Sequence, residues 1–472
     1  MRLAYLKARV IPFNAEGVIC EEFGSIVIDI VGPGRLYGAT NSCNGFTVTD
    51  VQKDQYILID NLLAQKSYVL LPQGVSKPAG LNDSVIPVTV PISAAYADTL
   101  DVLGFAELLN ISSSFVAASP DVVTAHTSPC FNFTGGATSE YIFTSSAAST
   151  ANKTIVFSAS DLSLTPTQKM MWINYLAYFF GKQNQALSIS SVINKNYQCV
   201  KDRVTAGVKE KYAIAWTQAE PTANQFTLKD DTYIKTLIQD AAAVPVAVNS
   251  AQESNFSNAA SFHIALQGAD MLIDTTPLSD GQSYTDWLNI MQFTQGLDIF
   301  LDKEAFIQNK NVFRTGGLVS ASGYPDYPER YAARPDIALM DVVAMQYPTF
   351  QPSYNMTWIY NFAQSGPVRQ MSQLTNYTCG NANAMLQGIT ACDNLNGDPF
   401  VPPSTQVAPT NDTETENSQS SAPQGLSAGS KAGIAVGVIA GVAAVAGGAY
   451  MFWRKRKTFS EPSHNFYKMD DI

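Results

Sequence analysis

Residues 165–195 read TPTQKMMWINYLAYFFGKQNQALSISSVINK, and this stretch predicts one long helix in the middle of the chain. Thr165 is a suitable N-cap residue, Pro166 occupies the first helical position, and no second proline follows. Bulky apolar residues from Met171 to Phe180 supply a face that a core can bury. Stretches with the composition of strands lie on both sides. The segment therefore predicts a helix that joins two α/β halves.

Short runs of β-branched and aromatic residues before and after this segment predict strands. They cover residues 67–71, 85–91, 212–216, 245–248 and 311–314. Amphipathic stretches between several of them predict helices at residues 98–109, 231–242 and 261–269. Strands that alternate with helices are typical of an α/β fold with mostly parallel sheets.

Residues 432–453 are a run of 22 uncharged, largely apolar residues, and a cluster of four basic residues begins directly afterwards at Arg454. A helix of this length spans about 33 Å, which is enough to cross a hydrocarbon core of about 30 Å. The positive cluster predicts that residues 454–472 form a cytosolic tail. We therefore expect a single-pass protein of the plasma membrane or an endosomal membrane, with its large N-terminal part outside the cytosol.

Residues 1–32 do not have the pattern of a signal peptide. Charged residues interrupt each apolar run before a hydrophobic region of the usual length forms. Taken literally, this pattern predicts a tail-anchored protein whose large domain faces the cytosol. We favour the alternative expectation, in which the true N-terminus and its leader lie upstream of Met1.

Two sets of residues before the predicted anchor favour the exterior placement. All six cysteines precede it, which is typical of an oxidising compartment; their pairing is open, and Cys379 with Cys392 is the most local pair. Sequons for N-glycosylation also lie on this side of the anchor. They begin at Asn82, Asn110, Asn132, Asn152, Asn255, Asn355, Asn376 and Asn411.

Charge and motifs argue against several functions. The net charge is −11, and an acidic protein is a poor partner for nucleic acid. Residues 396–431 have almost no aromatic residue and predict a disordered stalk. The G-x-S-x-G pattern from Gly425 to Gly429 lies in this stalk, without the strand and helix that a nucleophile elbow needs. We expect a binding protein rather than an enzyme.

Two rival classes remain open. An ectoenzyme such as a hydrolase could use the carboxylate pairs Asp230 with Asp231 and Asp270 with Asp274, although no fold-specific motif frames them. A structural or adhesive surface glycoprotein is expected to carry internal repeats or all-β modules. The alternation of strands and helices in this chain favours neither class.

Five stretches occur in an order that resembles one family. They are residues 91–109 (PISAAYADTLDVLGFAELL), 127–129 (TSP), 172–182 (WINYLAYFFGK), 268–276 (GADMLIDTT), and 309–314 with 334–348 (NKNVFR and RPDIALMDVVAMQYP). In this order they resemble the helical-backbone (class III) substrate-binding proteins, which serve bacterial importers of ferric siderophores, cobalamin and metal ions. The resemblance covers residues 85–350 and implies two α/β lobes joined by one long helix.

The resemblance, together with the composition and charge of the C-terminal part, predicts a division of the chain in a eukaryotic-type, membrane-anchored form. The parts are an uncertain N-terminal extension (1–80), an N-lobe (81–164), a connecting helix (165–197), a C-lobe (198–395), a stalk (396–431), a transmembrane helix (432–453) and a cytosolic tail (454–472).

The resemblance also implies a ligand in the cleft between the lobes. Members that hold Zn²⁺ or Mn²⁺ use several histidines, whereas this chain has His126 and His263 before the anchor and His464 in the tail. We therefore expect a ferric siderophore, with cobalamin or a metal ion as alternatives, and no resident cofactor. By position, the resemblance nominates as ligand contacts Tyr96, Trp216, Tyr324, Tyr327, Arg330 and Tyr331, with Phe131 and Thr275 as lesser candidates.

These nominations carry expected roles. Arg330 could neutralise the negative charge of a siderophore, and the tyrosines offer apolar faces with polar tips. We expect both histidines before the anchor to be structural. Within the anchor, Gly433, Gly437 and Gly441 recur every four residues, a spacing that favours a homodimer. The transporter or reductase that takes over the cargo is not readable from the sequence.

Overall fold

The computed structural model describes residues 44–51, 56–133, 139–149, 153–248, 254–279, 281–293, 304–374, 379 and 399–402. These residues belong to one compact unit of the chain. The predicted anchor and cytosolic tail, with nearly all of the predicted stalk, lie outside them. No helix in the described part of the chain is long and apolar enough to cross a membrane.

The first sheet precedes the part of the chain that the family motifs cover. It consists of β1 (Phe46–Val51), β2 (Tyr56–Asn61), β3 (Lys66–Pro72) and β4 (Ile86–Val90), with β1 to β3 antiparallel and β4 parallel to β3. The ring of Phe46 packs against Trp172 and Tyr175 at centroid distances of 5.2 and 5.4 Å. Strands β1 to β3 lie within residues 1–80, which the sequence left as an uncertain extension. Buried side chains of this sheet belong to the hydrophobic core of the N-lobe.

The N-lobe contains a second sheet whose described strands are all parallel. The strands β5 (Ala95–Ala97), β6 (Phe115–Ala118), β7 (Tyr141–Thr144) and β8 (Thr154–Val156) lie in the order β6-β5-β7-β8. Helices α1 (Asp101–Leu108) and α2 (Pro120–Ala125) follow β5 and β6. Because the carboxyl ends of parallel strands meet at one edge, the start of α1 lies at that edge.

The segment 165–195 forms three helices where the sequence predicted one. They are α3 (Pro166–Met170), α4 (Trp172–Phe180) and α5 (Gln183–Gly207). Gly181 ends α4 in the left-handed conformation, with φ of 67°, which glycine adopts at little cost. The single-helix prediction was wrong: the chain also breaks between α3 and α4 at Met171, and Gly181 supplies a helix end that a search for prolines does not find. Of these three helices, α5 runs from one lobe into the other, since Ala186 and Ile193 pack in the N-lobe core and Tyr197 and Val200 in the C-lobe core.

The C-lobe is built on a mixed sheet. Its strands are β9 (Ala213–Glu220), β10 (Gln225–Leu228), β11 (Val244–Pro245), β12 (Ser254–Phe256), β13 (Met271–Asp274), β14 (Val312–Arg314) and β16 (Tyr360–Asn361). They lie in the order β12-β10-β9-β13-β14-β16, with β11 beside β9. The pairs among β9, β11, β13 and β14 are parallel, whereas β10, β12 and β16 join antiparallel. A separate parallel pair consists of β15 (Leu318–Val319) and β17 (Arg369–Gln370).

Six helices accompany the C-lobe sheet in the described residues. They are α6 (Thr232–Asp240), α7 (Ala259–Ala265), α8 (Tyr284–Ile290), α9 (Ala305–Gln308), α10 (Tyr327–Arg330) and α11 (Pro335–Gln346). Helix α11 is buried along its whole length and packs against α5. The short helix α10 instead packs against α1 of the N-lobe, and Ala332 and Ala333 after it are buried in the N-lobe core. The predicted α/β class with mostly parallel sheets is confirmed.

Candidate functional site

The lobes meet where α1 packs against α10, and we call this region the lobe junction. Gly104 allows the two backbones to touch, because a Cβ atom at this position would lie 2.5 Å from the carbonyl oxygen of Glu329. Both lobes contribute charged and aromatic residues to the junction. They are Asp101, Glu107, Thr127 and Lys169 from the N-lobe side and Asp231, Tyr233, Asp326, Tyr327, Glu329, Arg330 and Tyr331 from the C-lobe.

Gly104→Ala tests this close approach. The added methyl group meets backbone rather than a flexible side chain, so we expect overpacking to lower the free energy of unfolding by about 1–3 kcal/mol. Urea unfolding followed by circular dichroism measures the change. The control is Ser191→Ala at an exposed position of α5. Equal unfolding midpoints for the two variants would contradict a direct backbone contact.

A buried ion cluster surrounds Arg330, whose side chain is 3 % exposed. Its Nη2 donates to Oε2 of Glu107 at 2.6 Å, and its Nη1 donates to Asp326. Glu329 supplies a third carboxylate, with Oε1 3.4 Å from Nη2. The hydroxyl of Thr127 donates to Oδ1 of Asp326 at 2.5 Å. The guanidinium that was expected to neutralise a ligand is therefore paired with carboxylates from both lobes of the protein.

A buried carboxylate of α11 holds this cluster from the C-lobe side. Asp341 accepts hydrogen bonds from the backbone N–H groups of Thr357 and Trp358 at 2.8 and 2.6 Å and from the hydroxyl of Tyr354 at 2.7 Å. Burial raises the pKa of the Asp341 carboxyl to about 6, and these hydrogen bonds oppose the rise. The indole N–H of Trp358 donates in turn to Oδ2 of Asp326 at 2.8 Å. The position of Asp326 is thus fixed by α11 through Trp358.

The Glu329 carboxyl makes stability depend on pH. Burial raises its pKa to about 8, from 4.5 for an ordinary glutamate; hydrogen bonds from Thr127 oppose the rise and the charge of Glu107 adds to it. Between pH 4.5 and about pH 8, folding therefore takes up a proton on Glu329. The free energy of unfolding should fall as pH rises through this range and level off above it, with a loss of up to about 3 kcal/mol between pH 6 and pH 8.

Urea unfolding at pH 6, 7, 8 and 9 measures this loss. Glu329→Gln resembles the neutral acid in shape and is expected to flatten the pH dependence. The exposed Glu140→Gln should keep the dependence of the natural protein. A slope that is the same in all three proteins would show that Glu329 does not take up the proton.

Lys169 is the second buried cation of the lobe junction and is 1 % exposed. Its Nζ donates to the carbonyl oxygens of Ala159 and Asp161 at 3.1 and 2.6 Å. Burial lowers the pKa of this ammonium to about 8, while the charges of Asp231 and Asp101 oppose the change. Burial also raises the pKa of both of these carboxyls. The amine and the two acids thus connect α1 and α3 of the N-lobe side with the start of α6.

Tyrosine rings of the C-lobe lie around the amine of Lys169. Its Nζ is 5.6 Å from the centre of the Tyr233 ring and 5.8 Å from that of Tyr331, distances at which ring faces attract a cation. Tyr327 stacks on Tyr331 at 5.0 Å, and Trp216 lies 5.9 Å from Tyr327. The buried hydroxyls of Tyr233 and Tyr327 lie beside each other and interact. The junction therefore contains an aromatic group with two adjacent phenol hydroxyls.

Four of the eight nominated residues meet at the lobe junction, namely Trp216, Tyr327, Arg330 and Tyr331. Tyr96 in β5 and Thr275 just after β13 are partly exposed, and Tyr324 is 38 % exposed. Burial raises the pKa of the Tyr96 hydroxyl, and the charge of Asp98 adds to the rise. Phe131 is buried in the N-lobe core. The set thus divides into a buried group, three residues with access to solvent and one core residue.

Apart from Arg330, sequence reasoning did not nominate as ligand contacts the charged residues that the lobe junction buries around these aromatics. Lys169 carried a usable signal, because it is the one charged residue between positions 162 and 181. Glu107 is likewise the one charged residue between positions 102 and 120. A single charge within an apolar helical stretch is expected to be buried with a partner. Asp101 and Glu329 have charged neighbours in sequence and gave no such signal.

A disulfide joins Cys130 to Cys379. The sequence left the pairing open, and the bond that forms does not join the most local pair, Cys379 with Cys392, because pairing depends on which Cα atoms the fold brings close, here to 5.3 Å. Cys130 follows the loop that carries Thr127, and its Sγ lies 3.8 Å from Oε1 of Glu107. The bond thus ties the N-lobe, beside the lobe junction, to the chain that follows β17.

The two histidines before the anchor contact backbone carbonyl groups. A ring nitrogen of His126 lies 2.7 Å from the oxygen of Val123, and one of His263 lies 2.8 Å from that of Met291. His263 is also buried and stacks on Phe293 at 4.5 Å. These are the contacts of structural histidines. In the described part of the chain, no group of three or more His, Cys, Asp or Glu residues is arranged to hold a metal ion.

Five of the eight predicted glycosylation sequons fall on described residues. The asparagine is exposed in each of them, at Asn82, Asn110, Asn132, Asn255 and Asn355. The other three, at Asn152, Asn376 and Asn411, lie outside the described residues, as do Gly433, Gly437 and Gly441. An attached glycan must lie on the surface, so these five positions are compatible with modification. Glycosylation itself stays a prediction.

No protein-family model matches the chain, and no curated protein matches its sequence. Solved structures do match, at low similarity. A periplasmic solute-binding protein from Staphylococcus epidermidis is 13 % identical with a TM-score of 0.40, and the match covers 54 % of this chain and 99 % of that protein. These neighbours are periplasmic binding proteins, the family that the sequence motifs resemble.

Two further neighbours show the range of their ligands. A protein of an Fe³⁺-hydroxamate transport system from Saccharomonospora viridis is 9 % identical with a TM-score of 0.39, covering 54 % of this chain and 93 % of its own. A Helicobacter pylori protein with Ni(II) bound is 12 % identical with a TM-score of 0.40, and the match covers 59 % of this chain and 91 % of that protein. Similarity at this level carries no information about the ligand of this chain.

Proposed function

We propose that the folded domain is a solute-binding receptor that takes a ferric chelate, such as a siderophore, in a cleft whose floor is the lobe junction. The observation that carries the proposal is the aromatic and polar group to which both lobes contribute. Tyr233, Tyr327 and Tyr331 come from the C-lobe, and Lys169 comes from the N-lobe side. The adjacent hydroxyls of Tyr233 and Tyr327 can donate hydrogen bonds to a ligand with acceptor oxygens.

Residue chemistry favours an organic chelate over a bare ion. Borderline divalent cations prefer imidazole ligands, and both described histidines contact backbone carbonyl groups. Tyrosine rings with their polar hydroxyls fit a bulky ligand that has apolar faces and a polar edge. Tyr96 within β5 and Thr275 just after β13 are the candidates for the walls of the cleft. Binding rather than catalysis is the proposed activity.

The receptor is proposed to be anchored in the plasma membrane or an endosomal membrane with this domain outside the cytosol. The apolar run 432–453 and its basic flank support the anchor, and the five exposed sequons support the orientation. Captured chelate then enters the cell by endocytosis or passes to a reductase or permease. Glycosidase treatment of protein made in eukaryotic cells should lower its apparent mass. An unchanged mass, together with protease sensitivity from the cytosolic side, would contradict this orientation.

Tryptophan fluorescence of the full chain in mild detergent tests ligand binding. Trp216 lies in the aromatic group beside Tyr327, so a bound ferric chelate is expected to quench its emission. The protein is titrated in parallel with a ferric hydroxamate, cobalamin, Fe³⁺ and Zn²⁺. Saturable quenching by the hydroxamate supports the proposal. If only cobalamin or only a bare ion quenches the fluorescence, that molecule is the ligand in place of the ferric hydroxamate. If none of the four compounds quenches it, a chelate receptor is contradicted.

Tyr327→Phe separates ligand binding from stability. Loss of the contact between the Tyr327 and Tyr233 hydroxyls is expected to lower the free energy of unfolding by no more than about 1 kcal/mol. The affinity for chelate should fall about tenfold, because the ligand loses one hydrogen bond. Tyr354→Phe is the matched control, since its hydroxyl donates to Asp341 within the C-lobe. Tyr354→Phe should lose stability and bind normally. If instead Tyr354→Phe loses affinity and Tyr327→Phe binds normally, a role of Tyr327 in binding is contradicted.

A further inference from the structure

Both buried cations of the lobe junction are already paired with acids of the protein. Arg330 lies among the carboxylates of Glu107, Asp326 and Glu329. Each of these four side chains is buried. The guanidinium therefore has no charge left to offer to an anionic ligand.

Lys169 is in the same situation. The carboxyls of Asp101 and Asp231 interact electrostatically with its ammonium group, which also donates to two backbone carbonyl oxygens. Counting Asp161, six carboxyl groups thus face two cations at the junction, and one of the six, Glu329, is protonated below about pH 8. Oδ2 of Asp101 and the hydroxyls of Tyr233 and Tyr327 are buried at the junction, and the two hydroxyls lie beside each other. These three oxygens can accept hydrogen bonds from a donor on a ligand.

We infer that the receptor selects ferric chelates that carry a positively charged group and discriminates against anionic ones. The inference rests on the proposed function and names the charge class of its ligand. It replaces the role that the sequence had suggested for Arg330, namely the neutralisation of an anionic siderophore.

Two physical effects favour a cationic group here. A positive charge near Asp101 and Asp231 stabilises their ionised forms, which burial otherwise disfavours, whereas an anion destabilises them further. The ring faces of Tyr233, Tyr327 and Tyr331 also attract cations and repel anions. Lys169 shows this effect within the protein, because its Nζ lies within 6 Å of two of these rings.

A matched series of ligands tests the inference. The probes are a linear ferric trihydroxamate with a terminal ammonium group, the same chelate acetylated at that amine, and the same chelate succinylated there. The iron centre is identical in all three, and the terminus is cationic, neutral or anionic. Fluorescence titration of the full chain in detergent should give an affinity about tenfold higher for the ammonium form than for the acetylated form, with the succinylated form weakest. The difference should shrink in high salt.

Two variants connect the preference to the junction. Asp231→Asn removes one charge but keeps an N-cap residue that can accept the hydrogen bond from the backbone N–H of Ile234. It is expected to reduce the preference for the ammonium form at least threefold. Asp286→Asn removes the same charge from an exposed capping position of α8 and should leave the preference intact.

The outcomes separate this inference from the proposed function. Equal affinities for the three chelates, or tightest binding of the succinylated form, would overturn the charge preference and leave the chelate receptor standing. If Asp286→Asn abolishes the preference as fully as Asp231→Asn does, the preference comes from the overall charge of the protein. This result would overturn the role of the junction. If none of the three chelates binds, the proposed function fails and the inference fails with it.

Discussion

Replacing Arg330 with methionine is expected to lower the free energy of unfolding by about 3–5 kcal/mol. The side chain is buried, and its loss leaves Glu107, Asp326 and Glu329 together without a cation. Protonation of the acids relieves part of the repulsion, so the loss should be larger at pH 8 than at pH 6. Methionine fills much of the same volume, which limits the contribution of a cavity. Urea unfolding at both pH values measures the effect.

Lys201→Met is the control for the loss of a cation. Its amine pairs with Asp240 at 3.4 Å in a partly exposed position, where an ion pair contributes about 0–1 kcal/mol. A loss in Arg330→Met no larger than this would mean that the ion cluster does not hold the lobes together. Chelate binding by Arg330→Met, measured below its unfolding midpoint, adds a second readout. Because the guanidinium is paired within the protein, we expect the variant to retain binding where it is folded.

The second large effect is expected from the double variant Cys130→Ser with Cys379→Ser. The natural bond closes a loop with a sequence separation of 249 residues. In the chain-entropy account, opening a loop of this length costs about 5 kcal/mol, because the unfolded chain regains its freedom. The urea midpoint of the double variant should fall accordingly. Both residues are replaced so that no unpaired thiol is left from this bond.

Chemical reduction distinguishes the bond from the side chains. A reductant should shift the midpoint of the natural protein toward that of the double variant. Any further shift that it causes in the double variant reports other cystines of the chain. If the double variant unfolds at the same urea concentration as the natural protein, the cross-link does not constrain the unfolded state, and the lobes are held by the junction alone.

Local patterns predicted much of this fold. Thr165 with Pro166 indicated a helix start, and the structure shows a capping box between Thr165 and Gln168. The strand predicted at residues 311–314 is β14. In both cases the deciding interactions lie within a few residues or follow from burial of one face, so a short stretch of sequence contains the necessary information.

The features that depend on distant contacts could not be predicted in the same way. Arg330 was nominated by its position in a family motif, but its partners Glu107 and Thr127 lie more than 200 residues earlier in the chain. No local pattern records such a pair. The same holds for Cys130 and Cys379, whose pairing the sequence left open. At residues 245–248 the predicted strand is reduced to β11 (Val244–Pro245), because its extent depends on pairing with β9.

The burial of Ala332 and Ala333 in the N-lobe core bears on how the protein is synthesised. This core begins with Phe46 in β1, so roughly 290 residues of chain separate its first and last contributors. At usual elongation rates the ribosome needs on the order of tens of seconds to make that much chain. Throughout this time the surface of α1 that α10 covers stays open to water. The nascent N-lobe is therefore expected to depend on chaperones until residue 333 has emerged.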